Sequence, residues 1–196
     1  MRTNYQIKII GFEDPKTFVK KWSSVYFYKS EPKYNEYIYS VFDDKNSFIK
    51  LFQWKNGTGE VIYNKKMKVV EGFYEKIHVL RQLRINFNWE QFETEFQPTK
   101  SSPIWKIFLL HLINPSEFPI FDQHVFRFYN FQKDGLIEEI STRPKVVFET
   151  YKQEYKPWFN SVQKEFNLDS KQMDQSFFSF GQVLKNIKGL PIEICY

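Results

Sequence analysis

A chain of 196 residues that is 42% hydrophobic and 20% aromatic carries enough apolar surface for a packed interior, which excludes a disordered polymer. Cys195 is the only cysteine, so a disulfide framework, a four-cysteine zinc site and a cysteine-ligated iron–sulfur cluster are excluded as well. The net charge of +5 favours a polyanionic partner, because lysine and arginine contacts to phosphate release counterions, but the excess is too small to settle a function. The apolar patch at Ile7, Ile9 and Ile10 is short and no apolar run is long enough to cross a bilayer; no export signal, no membrane span and a cytoplasmic location are expected. There is no internal repeat, low-complexity tract or Gly/Ser linker, which points to a single domain over residues 1–196.

In chain order, residues 15–29 place Phe18, Val19, Trp22, Val25 and Tyr26 at helical spacing behind an Asp14–Pro15 start, which predicts a helix. A second is expected over 46–54, stopped by Asn56-Gly57, and residues 60–63 fit a strand or a helix equally. Residues 66–96 read as helical with a break near 86–88, and 102–113 is so apolar that burial on most sides is expected. Asn114-Pro115 ends that helix. The stretches 143–167 and 170–187 each read as one amphipathic helix, opened by Thr142 before Pro144 and by Asp169-Ser170. The expected class is all-α.

Residues 118–131 form an apolar approach, one carboxylate at Asp122, and an aromatic-rich helix. Phe121 and Val125 should flank the carboxylate with low-dielectric surface, while the helix start offers it backbone N–H groups. The segment resembles the V-D-x-H-V-x-R motif of helix-hairpin-helix DNA glycosylases, matched in order and spacing by Asp122, His124, Val125 and Arg127 behind the apolar helix 104–113. That resemblance implies a two-lobed helical bundle with a cleft near Asp122, double-stranded DNA as partner, no cofactor or metal, and Asp122 as the catalytic acid, supported by His124 and Arg127. The stretch 173–181 is similar to a C-terminal segment of small relatives of that group.

Two features depart from the family pattern. The family's glycine hairpin is replaced by Thr99-Lys100-Ser101-Ser102-Pro103, so a duplex is anchored differently or not at all; Lys100, the hydroxyls of Ser101 and Ser102, and the N–H groups opening the next helix are the candidate replacement. The Schiff-base lysine of bifunctional members falls on Ile104, and Lys106 lies about 200° further round a helix. The resemblance therefore implies base excision without strand cleavage, in repair or against modified phage DNA. A catalytically inactive DNA-binding or protein-interaction module of the same fold is the alternative, and an Asp122→Asn comparison separates the two.

Tyr26, Tyr28 and Trp54 supply candidate stacking surfaces for a flipped base, with core packing as the competing explanation. Lys20-Lys21, Lys65-Lys66-Lys68, Arg81 and Arg84 are candidate phosphate contacts. His78 and His111 lack metal-ligand spacing to each other or to His124. The acidic pairs Glu93/Glu95 and Glu138/Glu139 read as solvated helix faces, and Asp43-Asp44 as a turn.

Overall fold

The computed structural model describes residues 7–10, 14–28, 31–57, 62–187 and 192–195. Their regular elements are helices except for one pair of four-residue strands, β1 (Ile7–Ile10) and β2 (Ile192–Cys195), which run parallel in the register Ile7↔Ile192 to Ile10↔Cys195. This pairing is the one departure from a purely helical expectation. Among the described residues no helix is long and apolar enough to cross a membrane.

The chain divides into two compact units, described separately. The first takes residues 1–27, 119–142 and 150–196. It is built on α1 (Pro15–Ser24), α8 (Gln123–Asp134), α10 (Lys156–Phe166) and α11 (Ser170–Ile187). Asp14 opens α1 as its sequence predicts, accepting from the N–H groups of Lys16 and Thr17, with Pro15 in the first turn. The helix stops at Ser24 rather than running to residue 29. Ser23 and Ser24 turn their hydroxyls back onto the carbonyls of Lys20 and Lys21, local bonds that compete with continuation of the helix. The core of this unit is aromatic: Phe128 stacks on Phe18 at 5.3 Å and on Phe177 at 4.3 Å, and meets Phe180 edge-on.

The expected helix over 143–167 forms as an unbroken helical run from 144 to 166, with a change of helix type in its middle. α9 (Pro144–Glu149) gives way to a π-helical turn, Thr150–Tyr155, before α10 begins. Pro157 accounts for the change: it has no N–H to give the carbonyl four residues back, and a wider turn accommodates the missing bond. At the start of α9 it is the carbonyl of Arg143, not Thr142, that receives Val147 N–H.

The second unit takes residues 28–118 and 143–149. It holds α2 (Glu31–Tyr37), α3 (Lys45–Asn56), α4 (Asn64–Glu75), α5 (Ile77–Ile85), α6 (Trp89–Phe96), α7 (Pro103–Ile113) and α9. Asp44 caps α3 through Asn46 and Ser47, so half of the expected acidic turn is an N-cap; Gly57, at φ +72°, ends the same helix as expected. The segment 66–96 is three helices rather than one with a single break. The break near 86–88 is there, with Asn88 capping α6; the additional one at Lys76 coincides with that side chain reaching across to the carboxylate and carbonyl of Glu95. Ile62 and Tyr63 precede α4 outside any element, and Glu60 and Val61 lie outside the described residues.

α7 is buried continuously from Lys106 to Ile113, which is more than two turns and hence every face of the helix. His111 in its middle is satisfied at both ring nitrogens: Nδ1 donates to the Phe118 carbonyl (2.8 Å) and Nε2 accepts from the Tyr34 hydroxyl (2.7 Å). A carbonyl can only accept, which fixes that assignment. Burial holds this imidazole down to about 4.

Candidate functional site

Asp122 is the N-cap of α8, in extended backbone at φ −155° and ψ −176°. Its Oδ1 accepts from the N–H groups of both His124 (2.8 Å) and Val125 (3.2 Å), and its carbonyl takes Phe126 N–H. Both residues expected to flank it with apolar surface do so, Phe121 and Val125 each being 1% exposed, while Asp122 itself is half-buried. Two backbone donors on one oxygen favour the ionised carboxylate, as does the positive end of a twelve-residue helix.

The approach to Asp122 is pinned residue by residue. The Tyr151 hydroxyl donates to the carbonyl of Pro119 (3.3 Å), and Ile120 N–H points at Asp174 Oδ2 (3.4 Å). Phe121 packs on Tyr151 at 5.5 Å and Tyr155 at 5.0 Å, both from the π turn. Tyr155 is fully buried, and its hydroxyl has no hydrogen-bond partner among the described residues. Burial, then the charges of Asp174 and Asp122, push this phenol well above its usual range.

His124 and Arg127 stand beside Asp122 on α8 and touch each other, Arg127 Nη1 lying 3.2 Å from His124 Nδ1. Arg127 also grips Glu139 with two nitrogens, Nη2 to Oε2 at 2.9 Å and Nε to Oε1 at 3.3 Å. Glu138 and Glu139 are exposed as expected, but they do not lie on a helix. They sit in a non-helical segment held along α8 by Gln123, Arg127 and Asn130, Gln123 accepting from Ile140 N–H (2.8 Å) and Asn130 donating to Glu138 (3.2 Å). Spacing the three clamps four and three residues apart puts them on one helix face. Sequence reading missed Glu139 because an exposed acidic pair after a helix has no local mark of its partner. Asp174 was within reach, lying in the stretch 173–181.

α11 crosses α8 at Gly181, where a Cβ would collide with the backbone carbonyl of His124. The Gly181 backbone faces the His124 imidazole, and Phe178 covers that ring at 4.7 Å.

In the second unit the segment replacing the glycine hairpin joins α6 to α7 as a tight turn with two left-handed residues that are not glycine, Gln97 (φ +46°) and Ser102 (φ +47°). Each costs about 1 kcal/mol relative to glycine. The Lys106 ammonium reaches back from α7 to the Gln97 carbonyl (3.1 Å) and Ser101 Oγ (3.3 Å), and burial lowers its proton affinity. Lys100, Ser101 and Ser102 are exposed; Ser102 gives α7 no side-chain cap, and Pro103 follows it. Beside them Ser102, Pro103, Ile104, Trp105, Lys66 and Val69 line a hollow of about 230 Å³, with Lys66 Nζ 5.7 Å from the Trp105 ring centroid.

The remaining candidates scatter. Trp54 is 7% exposed and packs against Tyr34, Tyr28 and Phe108, so it is a core residue and presents no stacking surface to a base. Tyr28 is half-buried and donates to the Trp54 carbonyl; Tyr26, in the other unit, lies edge-on to Phe178. Arg81 is committed to the Phe42 carbonyl and to Asp43, and Arg84 lies over the Phe42 ring. Among the described residues no cluster of three or more His, Cys, Asp or Glu is placed to hold a metal ion.

Fold and site together define an all-α protein with a carboxylate-capped helix start walled by aromatic rings. No family model, no curated protein and no solved structure matches the chain.

Proposed function

We propose that the chain is a monofunctional DNA glycosylase of the helix-hairpin-helix type. The observation that carries this reading is Asp122: an acid at the motif position, half-buried at the start of α8, held by two backbone N–H groups and flanked by fully buried apolar side chains. A negative charge fixed this way stabilises positive charge developing at a sugar C1′ as the N-glycosidic bond breaks. The base leaves with the bonding electrons, water adds at C1′, and the carboxylate orients that water and receives its proton, leaving an abasic site.

Two further features support the reading. The α6–α7 turn supplies the helix–hairpin–helix element without glycine, and the exposed Lys100, Ser101 and Ser102 beside the first turn of α7 offer a phosphate its contacts. Lys106 is tied into that turn and Ile104 carries no amine, which favours hydrolysis over Schiff-base strand cleavage.

The test is incubation of the protein with modified phage DNA and with unmodified or damaged duplexes, followed by alkali to reveal abasic sites. Wild type should produce such sites on one class, and Asp122→Asn should bind the same duplex and produce none. Absence of excision by both proteins on every duplex, with binding retained, would establish the inactive module instead. A borohydride-trapped adduct would refute monofunctional hydrolysis.

A further inference from the structure

The charge of Asp122 has a titratable neighbour in His124, two residues along the same helix start. Carboxylate and imidazole attract a shared proton: the charge of Asp122 draws His124 towards the imidazolium form. Every other group facing the ring matters to that balance. From α8 they are Asp122 and Arg127. From α11 they are the Gly181 backbone, Phe178 and, further off, Lys185. From the 135–142 segment Glu139 acts through Arg127.

A guanidinium has donors only, so the 3.2 Å contact from Arg127 Nη1 to His124 Nδ1 requires a lone pair on that nitrogen. The proton of a neutral ring must then sit on Nε2. Arg127 is held in this pose from its other side, its side chain 5% exposed and its remaining nitrogens engaged by both oxygens of Glu139. We propose that Arg127, clamped by Glu139, is a positioning residue that keeps His124 neutral in the Nε2–H form, so that no imidazolium forms beside Asp122. Burial and the Arg127 charge both lower the proton affinity of this imidazole, in keeping with the geometry. The inference rests on Asp122 being the reacting carboxylate.

The experiment is a titration of the imidazole nitrogens of the full ¹⁵N-labelled chain by NMR, with His124 assigned by His124→Asn and the exposed His78 by His78→Gln. In wild type, His124 should show an unprotonated Nδ1 at neutral pH and a midpoint below the ordinary value of about 6.5. Arg127→Met removes both charge and donor and should raise the midpoint by about one unit, a tenfold gain in protonation at fixed pH. Arg127→Lys keeps the charge but loses the forked grip on Glu139, and should fall between the two. Because Glu139 is half-exposed, water replaces its partner in Arg127→Met. Should that variant fail to fold, the rise expected in Arg127→Lys decides the matter.

A protonated Nδ1 in wild type, or a midpoint unmoved by loss of Arg127, overturns the proposal. These readouts need no DNA, so failure to detect excision would refute the glycosylase reading while leaving this one to stand or fall on the titration. Where excision is measured, its acid limb should move towards neutral pH in Arg127→Met.

Discussion

The starts of α7 and α8 solve the same problem in opposite ways. Each helix leaves its first N–H groups without intrahelical acceptors. At α8 a carboxylate of the chain itself takes two of them, so the positive helix end is already occupied by a fixed anion. At α7 no side chain caps, Ser102 is in the left-handed region, and a lysine and two serines stand exposed nearby. One start holds an anion of the chain itself; at the other Pro103 brings no N–H, and the N–H groups of Trp105 and Lys106 turn to the Ser102 carbonyl.

The largest expected effect breaks the α8 side. Asp122→Asn preserves a good cap, so stability should change by less than about 1 kcal/mol, whereas excision should fall by about 10² to 10³ or more, measured as alkali-labile sites per enzyme. Gly181→Ala attacks the same helix start through its packing. The added methyl must push α11 away from the His124 carbonyl, and a loss of about 3 kcal/mol in urea unfolding is expected. Gly72→Ala, in α4 with open space at its Cβ, is the matched control and should be neutral or stabilising by up to about 1 kcal/mol.

On the α7 side, His111 sets a pH dependence. Its folded proton affinity sits at about 4, below the unfolded value of about 6.5, so between these pH values the unfolded chain binds a proton that the folded chain refuses. This contribution is fully present above pH 6.5 and shrinks as pH falls towards 4, by about 3 kcal/mol in all. Urea midpoints of wild type and His111→Gln across that window should converge in acid. A smaller effect sharpens the contrast between the two helix starts: Ser102→Gly relieves left-handed strain and should stabilise by about 1 kcal/mol. Lys100→Glu should lower duplex affinity and reduce its salt slope by about one, with no change in chemistry on bound DNA.

Much of this was legible without coordinates. The Asp14 cap, the Gly57 stop, burial of α7 on every face and the 170–187 helix each depend on residues within a few positions of one another. The Ser23–Ser24 stop and the π turn before Pro157 are local as well, set by side-chain bonds and by proline, whereas the Lys76 break goes with a reach to Glu95 in the next helix but one. Trp54 shows the limit from the other side: an aromatic residue suited to stacking a base is equally suited to a core, and only its three ring neighbours decide.

By itself the sequence determined the helical class, the main caps and the placing of an acid, an imidazole and a guanidinium at the opening of one helix, because helix periodicity and capping are short-range chemistry. Tertiary structure alone decided that Glu139 grips Arg127, that Arg127 in turn meets the His124 ring, that Gly181 admits α11 against the His124 carbonyl, and that Ile7–Ile10 pairs with Ile192–Cys195. These contacts join positions distant along the chain, and which of many chemically equivalent partners meet is settled by how the elements pack.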